Sequence, residues 1–63
     1  MSAQIHQDPT RVIARALLEA RKRGLDDVGQ TRWAVASVLA VRPDMTAIEA
    51  ARSVERTAND LAN

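Results

Sequence analysis

The sequence predicts an all-α fold, three short helices at about 9–23, 28–41 and 47–61 in a small up-down bundle. Three observations carry that expectation. Apolar residues recur at helical spacing around Val12 to Ala20, a capping box stands at Thr46 to Glu49, and the valines at 35, 38 and 41 recur every three residues instead of every two. Sixty-three residues make one domain at most, near the low end of what folds unaided. We read residues 1–8 as a flexible lead-in and 9–63 as a single helical domain.

Asp8-Pro9-Thr10 is a helix start. Asp8 suits the N-cap, and Pro9 suits the first helical position because its missing N–H would have had no partner there. Val12, Ile13, Ala16, Leu17 and Ala20 then fall on one face. Arg21, Lys22 and Arg23 crowd the last turn, where cations meet the negative end of the helix dipole. Gly24 follows as the left-handed closing residue, and Leu25 is placed to fold back on the last turn.

The second helix has two possible starts. Asp26 or Asp27 caps it early, or Thr31 caps it late with Gly29 in the connection. It ends near Val41, because Pro43 disfavours helical geometry at Arg42. Between Trp33 and Val41 only Ser37 is polar, so this helix is apolar nearly all round. Such a helix is normally buried on more than one side.

The third helix starts at Ala47. The Thr46 hydroxyl and the Glu49 carboxylate each satisfy a backbone amide of the other's turn, and Met45 and Ala50 stand at hydrophobic-staple spacing. Its expected buried stripe is Ala47, Ala50, Ala51, Val54, Ala58 and Leu61, mostly alanine. Glu49, Arg52, Ser53, Arg56, Asn59 and Asp60 face outward.

Twelve alanines inflate the apolar content, leaving seventeen sizeable apolar side chains counting Val, Ile, Leu, Met and Trp. There is no cysteine to staple the fold, so self-association is the expected source of further burial. We expect a homodimer with Trp33, Val35, Val38, Leu39 and Val41 at the seam.

Chemistry is scarce in this chain. His6, the lone histidine, precedes the first helix and has no positioned partner for acid–base work. One histidine and no cysteine make no metal set, and Gly24 and Gly29 stand apart, so no phosphate loop exists. Neither Ser37 nor Ser53 has an activating base in view. We expect no enzyme, no cofactor and no metal. A net charge of +1 argues against strong nonspecific attraction to nucleic acid or anionic membrane. No apolar run approaches the roughly 20 residues of a membrane span. The expectation is a cytoplasmic protein. Arginine outnumbers lysine eight to one, which matches the codon usage of a GC-rich bacterial or phage genome.

Two surfaces stand out. Arg11, Arg15 and Lys22 share one side of the first helix with Leu18 among them, and Pro9–Arg23 carries five basic residues against Glu19 alone. That stripe is either a docking surface for an acidic partner with Leu18 as apolar anchor, or a solvated face on which Glu19 pairs with Arg15 and Arg23. The second surface belongs to a helix-turn-helix reading, in which the third helix offers Arg52, Arg56 and Asn59 to base edges and first-helix cations touch phosphates. That helix carries two arginines against Glu49, Glu55 and Asp60, an unfavourable balance for a phosphate-lined groove. The sequence therefore favours a small helical module that binds a protein partner, with DNA binding as the alternative.

Overall fold

The structure, a computed structural model, describes residues 9–63. It is all-α: α1 (Pro9–Lys22), α2 (Asp27–Val41) and α3 (Ala47–Ala62). Each helix touches both of the others, α1 and α2 most extensively. The expected Asp8 cap, together with Ile5 and His6, lies outside the described residues.

α1 stops at Lys22, one residue short of expectation, because the chain turns through Arg23 and Gly24. Gly24 sits at φ 82°, the left-handed region that glycine enters without a Cβ clash. The Gly24 N–H donates to the Arg21 carbonyl and the Leu25 N–H to the Ala20 carbonyl, at 3.0 and 3.1 Å. Those two bonds form a Schellman motif and leave Leu25 half-buried.

The early start of α2 is the one adopted. The Asp26 carboxylate accepts from the Gly29 N–H at 2.8 Å, and Asp26 itself is extended. Gly29 permits this tight entry: a Cβ there would lie 3.1 Å from the Leu25 Cβ and 3.2 Å from the capping oxygen. Gln30 adds a side-chain bond to the Leu25 carbonyl at 2.9 Å. α2 ends before Pro43, as expected. The Arg42 guanidinium then grips Asp44 through two bonds of 3.0 and 2.9 Å, which hold the connection and raise the pKa of Arg42 further. At α3 the capping box is complete. The Thr46 N–H donates to Glu49 Oε1 at 2.9 Å, and the Glu49 N–H donates to Thr46 Oγ1 at 3.1 Å.

The core is Ile13, Ala16, Leu17, Ala34, Val38, Ala50 and Val54, with Val12, Val35, Leu39, Met45 and Ala58 half-buried against it. Ala20 is buried as well. This corrects one expectation. Val38, assigned to a dimer seam, is wholly enclosed within the single chain, and Val35 and Leu39 are half-covered there. Alanine-lined faces on α1 and α3 let the backbones approach closely, since interaxial distance follows the side chains at the contact. Shallow neighbours therefore shield that side of α2 fully.

A second correction concerns α3. Its buried face runs through Ala50, Val54 and Thr57, whereas Ala47 is open and Leu61 is 62% exposed. The face is rotated toward Ser53 and Thr57 relative to the purely apolar stripe. Leu61 is in the last turn and forms the rim of a groove instead of part of the core.

Candidate functional site

The cationic stripe of α1 divides between two grooves. Arg11 and Arg15 line one of about 500 Å³ between α1 and α2, together with Val12, Ala16, Trp33 and Val41. Leu18 lines another of about 610 Å³, where α1 and the start of α2 meet the last turns of α3. Lys22 is exposed and lines neither. Leu18 and the two arginines, neighbours on one face of α1, thus border different grooves.

In the α1–α2 groove, Trp33 is 36% exposed and Val41 40%. The Arg23 guanidinium lies 4.9 Å from the centre of the Trp33 ring. A cation over an aromatic face at an exposed position contributes about 0.5–1 kcal/mol. Arg23 also approaches Glu19 at 3.9 Å. Glu19 does not pair with Arg15, so half of the solvated-face reading is absent. Among the described residues neither Arg11 nor Arg15 forms an ion pair. The Ser37 hydroxyl, at the groove wall, donates to the Trp33 carbonyl at 2.9 Å and is spent within the helix. The result is an apolar floor rimmed by two uncommitted guanidinium groups.

The second groove is chemically different. Leu17, Leu18, Ala58, Leu61 and Ala62 make it mostly apolar, and its charged residues, Arg21 and Asp27, have opposite signs. Leu18 and Leu61 are 52% and 62% exposed.

Arg52, Arg56 and Asn59 are all exposed on α3. Arg52 and Arg56 share a shallow recess with Arg42, Asp44, Met45, Glu49 and Ser53. Arg42 there is already bound to Asp44, and Glu49 to its own cap. Asn59 lies outside that recess. Among the described residues, no three of His, Cys, Asp and Glu gather as a metal set, and no helix is long and apolar enough to cross a membrane.

Sequence reasoning missed the meeting of α1 cations with Trp33. Arg11 and Trp33 stand 22 positions apart and are joined only through the Schellman turn, so no helical periodicity links them. The one available signal was the pair Gly24-Leu25, which fixes how α2 returns along α1. Comparison with protein-family models, with curated proteins and with solved structures finds no match to this chain.

Proposed function

We propose that this chain is a small, non-enzymatic helical module, a cytoplasmic regulator, adaptor or inhibitor of bacterial or phage type, which binds a protein partner through its helix surfaces. The observation that carries the reading is the number of large apolar side chains left open on so small a fold. Leu18, Val28, Trp33, Val41, Ile48 and Leu61 are all exposed, and four of them line the two grooves. Isolated exposed apolar residues are ordinary, but exposed pairs gathered in one groove mark interaction surfaces, as Leu18 of α1 with Leu61 of α3 and Trp33 with Val41 along α2 do.

Self-association over the outward side of α2 belongs to the same proposal. Ile13, Val38 and Val54 are the only large side chains fully buried among the described residues. A core that thin leaves a small domain marginal, and a second copy supplies further burial. Val28, Ala36 and Ala40 are open on α2, with Trp33 at their margin.

The test combines two measurements. Sedimentation equilibrium at micromolar concentration reads the dimer, and a folded monomer throughout that range defeats the self-association part. Affinity capture from the native host, after nuclease treatment, reads the partner. The reading requires a protein that the wild type retains and that a surface variant carrying Arg11→Glu, Arg15→Glu, Leu18→Glu and Leu61→Glu does not. Gel shifts with genomic fragments that weaken steeply with salt and vanish on Arg52→Ala with Arg56→Ala would instead establish the DNA-binding alternative.

A further inference from the structure

We infer that the α1–α2 groove is a receptor for one turn-repeating motif, an acidic amphipathic helix of another protein. Its carboxylates would meet Arg11 and Arg15, and a bulky apolar side chain would enter between Trp33 and Val41. This rests on the protein-interaction reading above and names the site and the chemistry of the partner.

Dimensions and charge both select that occupant. From Arg11 to Glu19 the groove follows α1 for nine residues, a rise of about 12 Å, so it holds roughly two turns of a partner helix. Arg11 and Arg15 are one turn apart on α1, with a rise of about 6 Å. A partner helix laid alongside matches that spacing with Asp or Glu at i and i+4. Guanidinium groups pair with carboxylates through two parallel hydrogen bonds, and these two have no partner of their own among the described residues. The floor of Val12, Ala16, Trp33 and Val41 takes the apolar residue, in the manner of helix-in-groove recognition.

A nucleic acid fits the same groove less well. The guanidinium of Arg23 covers the Trp33 ring on the side where it lies, which removes that face as a platform for base stacking. The α1–α3 groove is larger, but its charges cancel and nothing there selects an occupant.

The test is a selection of random 16-residue peptides, free of Trp and Tyr, displayed on phage against the immobilised wild-type chain. Trp33 is the sole aromatic residue, so its emission reports occupancy of this groove directly in titrations of the selected peptides. The enriched sequences are expected to carry Asp or Glu at i and i+4 beside a large apolar residue, and to shift Trp33 emission. Arg11→Glu with Arg15→Glu should weaken them at least tenfold while circular dichroism stays unchanged. Leu18→Glu with Leu61→Glu should change binding less than twofold.

Enriched peptides without the acidic pair overturn the inference, as does binding that survives charge reversal. Failure to enrich any peptide overturns it too, and so does an oligothymidylate that binds at Trp33 more tightly than the peptides. Binding lost only in the Leu18→Glu, Leu61→Glu variant moves the site to the other groove. That outcome refutes this inference and leaves the protein-interaction reading standing, which is judged by the native partner instead.

Discussion

Ala34 and Val38 on one side of α2 are wholly enclosed by the other two helices, whereas Ala36 and Ala40, two residues further along in each case, lie open on the other. The two sides have similar composition and opposite surroundings. Burial on α2 is therefore not decided by α2. It is decided by where α1 and α3 present their own apolar faces, Ile13-Ala16-Leu17-Ala20 and Ala50-Val54-Thr57. The outward side keeps an apolar character that the single chain does not use, and this is the surface on which the self-association proposal rests.

The largest expected effect comes from breaking the enclosed side. Val38→Glu places a carboxylate at a position with no exposure, a change that costs several kcal/mol. For a 63-residue domain that exceeds the margin of stability, so the far-ultraviolet circular dichroism should lose its helical signature at 25 °C. Val38→Ala is the milder companion, costing about 2 kcal/mol from two lost methyl groups and the cavity they leave. Urea unfolding measures it. A cooperatively folded Val38→Glu chain would show that the two sides of α2 are not distinct in the way described.

A matched pair sharpens the contrast at intermediate size. Ala34→Leu forces three extra carbons into an enclosed site and should destabilise by about 1–3 kcal/mol. Ala40→Leu adds the same atoms to an open position, where surface substitutions stay within about 0.5 kcal/mol. Equal urea midpoints for the two variants would erase the distinction. The helix ends set a comparable scale independent of either side. Thr46→Ala removes one half of the capping box and should cost about 1 kcal/mol. Gly24→Ala has open space for its Cβ, so its cost of about 1 kcal/mol comes from the left-handed backbone alone.

Those ends are also where the sequence was most informative. Thr46 and Glu49 signal a helix start through bonds three residues apart, and Gly24-Leu25 signals a helix end through bonds three and five residues back. Such contacts close within one turn and need no knowledge of the rest of the fold. The buried face of α1 was legible for a related reason, because its polar and apolar residues segregate. α2 offered no such contrast: from Trp33 to Val41 apolar residues occupy nearly every angle, so its sequence does not say which of them turn inward. The exchange of Leu61 for Thr57 on α3 follows from the end of the helix reaching the rim of a groove, a fact of assembly and not of periodicity. The candidate site was half visible. Arg11 and Arg15 stood out as part of a basic stripe with Leu18 and Lys22, but the groove they line together with Trp33 across the hairpin was not visible in the sequence.

The smallest effect on stability tests the open side most directly. Ala36→Glu introduces a charge at an exposed mid-helix position, one turn beyond Arg32, and glutamate is nearly as good a helix former as alanine. The monomer should keep its unfolding midpoint within about 0.5 kcal/mol. Self-association should respond very differently. Two copies meeting over α2 through a two-fold axis bring the substituted position to the seam on both sides, so each dimer carries the charge twice. Desolvating that pair should raise the dimer dissociation constant at least tenfold in sedimentation equilibrium. An unchanged dimer constant would remove Ala36 from the seam, and a large loss of monomer stability would show that this side of α2 is not open at all. Val38→Glu, which at first sight tests the same seam, cannot separate these outcomes, because unfolding and dissociation would then arrive together.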